Sequence, residues 1–221
     1  MDKNRLKTLV AKAMGVSVLA GVVGCAATSA QKAKSVTATA TYINAAEIEM
    51  VSKAERDKPA DMIIKVVDLG YENFAVGLIH RGSTRNVPAG SECEGDIKAR
   101  SPEPCGRHVD TLPQGGTPGG LTHDLQTEGY YIVSGGGTLY TDGYIANGRR
   151  LDIAQNGWSC MGTAYGVKKL ELKVGDVVIV PPGVVHGWAD IPEHVEYLSF
   201  RPSQSALQAG WVNPIISNAK P

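Results

Sequence analysis

Apolar and polar positions change their period several times along the chain. A 12-residue uncharged, mostly apolar run, Ala13 to Gly24, comes first. Residues 25–41 are rich in Ala, Thr, Ser and Lys and read as a flexible tether. Asn44 then offers a helix N-cap, with Glu47 three residues on as in a capping box. Ile48 and Val51 give a sparse apolar face to a short helix that ends before Pro59. Beyond this the helical period is lost. Met62 to Asp68 and Phe74 to His80, rich in β-branched and apolar residues, predict strands. Residues 82–120 hold most of the Pro and Gly and predict a long loop, functional or stapled. Short strands then resume at Glu128–Val133, Thr138–Tyr140, Leu151–Ile153, Val167–Leu172, Val177–Val180 and Val195–Phe200, with Gly, Pro, Asn and Asp between them. Many short strands at this spacing predict an all-β sandwich or barrel. The tail, Pro202 to Pro221, offers one helical turn at Ser205–Ala209, with Trp211 capping an open end of the barrel.

Composition narrows this picture. At 221 residues, 43% hydrophobic and 20% charged, the chain can bury a core, which excludes global disorder. Its 22 basic and 22 acidic residues give no basic surplus, which argues against nucleic acid as a partner. The first residues read as an address. Lys3, Arg5, Lys7 and Lys12 form a positive head before the apolar run, which is too short to span a bilayer but suits an export signal over 1–24. The junction Val22-Val23-Gly24-Cys25 resembles the bacterial lipobox, which implies lipidation of Cys25 and, with Ala26 rather than Asp next, an outer-membrane anchor facing the periplasm. The alternative is ordinary cleavage after Thr28-Ser29-Ala30, which leaves a soluble periplasmic or secreted protein. Without residues 1–24 the chain has 18 basic and 21 acidic residues, net −3, and is not built to grip anionic lipid directly. Membrane contact is then expected only through the anchor.

In an oxidising compartment two of the remaining cysteines can pair. Cys93 and Cys105 bracket the stretch Glu94 to Pro104 and are the expected disulfide. Cys160 is left over, as a buried residue or a reactive thiol.

The more specific chemical signal is Gly175-Asp176-Val177-Val178-Ile179-Val180-Pro181-Pro182-Gly183-Val184-Val185-His186. It reads as a turn, a buried strand, a Pro-Pro-Gly turn and a His opening the next strand. Its spacing resembles the second signature of the cupin superfamily, G-x5-P-x-G-x2-H-x3-N, with Asp190 in place of Asn. The first signature, G-x5-H-x-H-x3-4-E-x6-G, is met in part by His123, Glu128 and Gly135, while its first His falls on Leu121. His123-Asp124-Leu125-Gln126-Thr127-Glu128 is similar to a variant found in small exported single-domain cupins, or monocupins. The resemblance covers roughly residues 60–202. It implies a single domain over 42–221: a cupin-type jelly-roll β-barrel with a short N-terminal helix, a C-terminal extension, and the site inside the barrel mouth.

The usual cupin metal has three His and one Glu. Here His123, Glu128 and His186 remain, and two imidazoles with one carboxylate suffice for a divalent transition metal such as Fe, Mn, Zn or Ni. Gln126 is a candidate weak fourth ligand. The alternative is a cupin without metal, in which His123 and His186 are hydrogen-bonded interior residues. Tyr130, two residues beyond Glu128, shares its face of the strand and is the candidate catalytic hydroxyl, or packs in the core with that hydroxyl satisfied. Gln126, Tyr130, Trp188 and Arg81 are the candidate substrate pocket, Trp188 as a wall and Arg81 as a carboxylate clamp or a plain surface residue. His80, His108 and His194 read as structural.

Cupins span many functions, so the fold leaves the activity open. The first expectation is a small metalloenzyme of dioxygenase, isomerase or lyase type acting on a small oxygenated organic substrate. The alternative is a non-catalytic cupin that binds a sugar or other small ligand, or a structural envelope protein. The expected partners are that small molecule and a second copy of the chain as a homodimer.

Overall fold

The computed structural model describes residues 39–55, 61–85, 103–153, 157–203 and 208–219, all within one compact unit over 33–221. The expected leader, the lipidation site Cys25, Cys93 and most of the expected 205–209 turn lie outside the described residues.

Helix α1 (Ala45–Glu55) starts where the capping box places it. The Glu47 N–H donates to Asn44 Oδ1 at 3.0 Å, and the Asn44 N–H donates to Glu47 Oε2 at 3.1 Å. Val51 is fully buried against Met62, Ile64 and Leu78, which fixes α1 on one face of a sheet. Lys65 reaches Glu47 at 2.7 Å and ties the helix start to the first strand.

Among the described residues eleven strands follow: β1 (Asp61–Asp68), β2 (Asn73–Gly82), β3 (Pro104–Cys105), β4 (Thr117–His123), β5 (Glu128–Thr141), β6 (Tyr144–Ile153), β7 (Gly157–Tyr165), β8 (Lys168–Lys173), β9 (Val177–Val180), β10 (His186–Asp190) and β11 (His194–Ser203). They form one antiparallel sheet in the order β1-β2-β11-β5-β10-β4-β7-β6-β3, with β8 and β9 also paired to β5. Strand β5 is where this sheet folds over on itself. Its first half pairs with β9 and β11, and its second half with β8 and β10. The result is an all-β jelly roll, as the sequence implies. Its main core lies between the two layers and joins Ile79, Tyr130, Ile132, Leu139, Val180, Ile191, Val195 and Tyr197.

Three features depart from the sequence reading. The strands expected at 128–133 and 138–140 are one, because the chain passes through Gly135-Gly136-Gly137 without leaving the sheet. Gly135 has φ of 66°, and a Cβ there would lie 2.0 Å from the His194 carbonyl oxygen, so only glycine fits this close crossing. Strands β3 and β4 emerge from the expected loop, and β7 fills a stretch for which no strand was expected.

The disulfide also differs. Cys105 bonds to Cys160, not to Cys93, so Cys160 is no free thiol. The reason is the pairing of strands: β3 pairs with β6, β6 with β7, and this carries Cys105 to within 5.9 Å (Cα to Cα) of Cys160 on β7. Sequence proximity favoured Cys93; the sheet brings in a partner 55 residues away.

After β11 the chain returns along β1. Asn213 donates through Nδ2 to the Ile63 carbonyl at 2.9 Å and accepts the Ile215 N–H, which starts the short helix α2 (Pro214–Ser217). Trp211 packs on Ile63, Val66 and Ala75.

Candidate metal centre

The inward positions of three strands converge on one point. His123 ends β4, Glu128 opens β5 and His186 opens β10. Their exposures are 2%, 3% and 5%, and one ligand atom from each lies within 4.8 Å of the others. Among the described residues this is the group of His, Cys, Asp and Glu side chains arranged to hold a metal ion. The two signatures are joined directly, since the Gly183 N–H of the Pro-Pro-Gly turn donates to the His123 carbonyl at 2.8 Å.

Neighbouring groups fix which nitrogen of each ring is open. His186 Nδ1 sits 3.0 Å from the Val184 carbonyl, which can only accept, so Nδ1 donates and Nε2 is the ring nitrogen left facing the triad. His123 Nδ1 sits 2.9 Å from Ser159 Oγ. That hydroxyl donates its own proton to the Gly157 carbonyl at 3.2 Å, so it accepts from His123. Both Nε2 atoms face Glu128, at 3.3 Å for His123 and 3.4 Å for His186. The His123 contact is within ion-pair distance, yet its geometry makes no hydrogen bond and this buried Nε2 has no hydrogen-bond partner. A buried ring nitrogen so placed is a ligand atom awaiting a positive centre, and the donor set fits a divalent transition metal.

Glu128 is held by more than the two rings. Arg201 on β11 lies with Nε 3.2 Å from Oε1 and also donates to Ser199 Oγ at 2.7 Å. The Tyr130 hydroxyl makes a short hydrogen bond to Oε2. Burial pushes the Glu128 pKa up, but the Arg201 guanidinium, together with the imidazoles, outweighs it and holds the carboxyl well below its usual range. Burial first, then the Glu128 charge, pushes the Tyr130 phenol well above 10, so it remains a hydrogen-bond donor.

Tyr130 thus has its hydroxyl on Glu128 and its ring against Tyr197, with centroids 4.4 Å apart. Trp188 is tilted against Tyr197, with centroids 5.9 Å apart, and Arg81 Nε donates to the Tyr197 hydroxyl at 3.4 Å. Trp188 and Arg81 are therefore linked to the triad through Tyr197 and Tyr130. Gln126 is buried between β4 and β5, its backbone bridged to Ser203. Leu121 stands opposite His186 in the β4–β10 pairing. His80 and His194 stack on each other at 5.8 Å, and His108 is exposed beside Asp110; none joins the triad.

The sequence reading missed Ser159 and Arg201. Ser159 lies on the unforeseen β7. Arg201 lies one residue past the expected end of β11, where the alternation Val195, Tyr197, Ser199, Arg201, Ser203 continues inward. That period of two was the available signal.

Among the described residues, cavities are also found that no triad residue lines. One of about 310 Å³ separates α1 from the sheet, lined by Ile48, Leu78, Val133 and Leu198. The other, about 240 Å³, lies beside the disulfide and is lined by Thr122, Asp124, Arg150 and Val185. The first is larger, but it holds no convergent ligand set, and the chemistry of the triad decides the functional site.

No protein-family model matches the chain, and no curated protein does. Solved structures give distant likenesses. A cupin protein from Bacteroides fragilis is 16% identical over 62% of this chain and 72% of its own, with a TM-score of 0.30. An uncharacterised conserved protein with a double-stranded β-helix domain from Klebsiella pneumoniae is 16% identical over 76% and 95%, with a TM-score of 0.35. Peruvianin-I, a cysteine peptidase from Thevetia peruviana latex, is 12% identical over 71% of each chain, with a TM-score of 0.31. The fold is accordingly read from the chain's own strand pairing.

Proposed function

We propose that this chain is an exported, metal-binding monocupin in which His123, Glu128 and His186 hold one divalent transition metal and act on, or capture, a small oxygenated organic molecule. The observation that carries the reading is the buried Nε2 of His123, without a hydrogen-bond partner and directed with the His186 Nε2 at one carboxylate. When bound, such a metal supplies Lewis-acid polarisation or activation of water or dioxygen. The chain's own residues orient the site. Ser159 and the Val184 carbonyl hold the two imidazoles in the ligating tautomer, while Tyr130 and Arg201 hold the carboxylate. Fe, Mn, Zn and Ni all suit this donor set.

Metal analysis of the full chain purified from its native envelope tests the reading. One metal per chain is expected, and His186→Ala should reduce it to none. Equal metal content in the two proteins would sink the proposal. Mass spectrometry of the same preparation tests the export component: a lipid-modified Cys25 supports the anchor, and an unmodified start at Gln31 supports ordinary cleavage.

A second reading has its own support. Glu128 already has a cation and a phenol as partners, so the cluster is also satisfied electrostatically as a buried ion pair. A non-catalytic ligand-binding or structural envelope cupin would show this pair and bind no metal.

A further inference from the structure

We propose that β9 is a docking edge for a second copy of this chain, the two β9 strands pairing antiparallel about a twofold axis. The inference stands on the sheet alone and does not depend on the metal reading.

An unpaired strand at a sheet edge presents a row of N–H and C=O groups that another strand can take up, so proteins protect their edges. The edges among the described residues are treated differently. β1 is covered by the returning chain. The Val66 N–H donates to the Trp211 carbonyl at 2.8 Å, the Gly210 N–H to the Val66 carbonyl at 3.0 Å, and the Asn213 N–H to the Ile64 carbonyl at 2.9 Å. β8, paired to β5, is charged along its length, Lys-Lys-Leu-Glu-Leu-Lys. β3 is only two residues long. β9 has none of these protections. Among the described residues it pairs with β5 alone, and its sequence is Val-Val-Ile-Val. Val177 is 65% exposed and Ile179 69%, at the outward positions of the alternation that buries Val180. Tyr131, opposite Val177, and Val174, just before the strand, are exposed as well, so the apolar surface extends beyond β9.

The chemistry of this edge identifies what covers it. A bilayer supplies apolar contact but nothing to pair with backbone N–H and C=O groups. Lys173 and Asp176, an ion pair at the start of the strand, add no net charge to attract anionic lipid. Another strand meets both needs, and β9 is its own complement: it carries no charged side chain to repel an identical strand across a twofold axis. Alternation fixes the register, because outward residues must face outward residues. The axis then passes beside Val178 or Ile179. Centring on Ile179 would bring Pro181, which has no N–H, into the ladder, whereas centring on Val178 leaves it out. Val177 of one copy therefore faces Ile179 of the other, and the same pair recurs across the axis. A four-residue ladder with a few flanking apolar side chains is a small interface, so the association should be weak and concentration-dependent.

Sedimentation equilibrium of the full chain tests this. A monomer–dimer equilibrium is expected; a monomer throughout, up to about 100 μM, overturns the proposal. Two double variants test the surface and the register. Val177→Lys with Ile179→Lys sets like charges opposite each other twice and should weaken the dimer at least about tenfold. Val177→Lys with Ile179→Glu sets unlike charges opposite each other and should hold dimerisation within about threefold of the unmodified chain. Both positions point to solvent, so the thermal midpoint of the monomer should not move in either variant. A dimer indifferent to the Lys-Lys change overturns the assignment of the surface, and equal weakening by the two variants overturns the antiparallel pairing. Binding to phosphatidylcholine–phosphatidylglycerol vesicles that is lost in the Lys-Lys variant, from a chain that stays monomeric, would assign the edge to lipid and overturn the proposal too.

Discussion

Ser159 touches no ligand position directly, yet it decides which His123 nitrogen is open. Ser159→Ala should lower metal affinity about 10- to 100-fold, the usual effect of losing a group that orients a ligand, and leave the fold intact. Isothermal titration with Zn2+ measures this, and an unchanged affinity would show that the His123 tautomer needs no support. Leu121 gives the converse test. It lies two residues before His123 on β4 and opposite His186, so Leu121→His brings a third imidazole to the same sheet face. Tighter Zn2+ binding is expected; no gain would mean that the barrel's geometry at this position differs from the four-ligand form. The triad was legible because its members are spaced along two local segments, 123–135 and 175–186. Arg201 and Ser159 were not, because they reach the site by strand pairing across long separations, and their types, Arg and Ser, are ordinary on surfaces.

At the level of the element, the same limit explains the cysteines and the glycines. Period two marks β11 well, with alternate positions buried along its whole length. Strand β4 opens Thr-Pro-Gly-Gly and lacks a β-branched run, so its local composition says loop while its pairing with β7 makes it a strand. Once β3, β6 and β7 are paired, the Cys105–Cys160 bond follows from their positions. Closing a 55-residue separation is worth about 4 kcal/mol in the chain-entropy model, so Cys160→Ser should lower unfolding stability by roughly 2–4 kcal/mol. Urea denaturation of the two proteins checks the loss, and peptide mapping without reduction should recover a fragment joining residues 105 and 160. At Gly135→Ala the added carbon meets the His194 carbonyl in a backbone conformation few side chains adopt. A loss of about 2 kcal/mol or more is expected. Equal denaturation midpoints would mean that the β5–β11 crossing can open.

For the whole molecule, the jelly-roll class was legible from the number and spacing of strands, whereas the sharing of β5 between two layers was not. A metal that binds only the assembled triad must stabilise the fold, because its ligands come from β4, β5 and β10. At a free metal concentration 100 times its Kd the gain is about 2.7 kcal/mol. The thermal midpoint should rise with Zn2+, fall back with a chelator, and not respond in His186→Ala. The pairing of β2 with β11 has a further consequence, for the order in which the chain can fold. Residue 82 lies opposite 194 and residue 73 opposite 203, so the hairpin formed by β1 and β2 lacks its next neighbour until nearly the entire chain has been synthesised. Closure over such separations is slow. A nascent chain ending at 193 should stay open to protease, with Ile79 and Tyr130 uncovered on the side where Val195 and Tyr197 belong. Arg201 arrives in that same final segment, so the buried Glu128 carboxylate gains its counter-charge only at the last step of assembly.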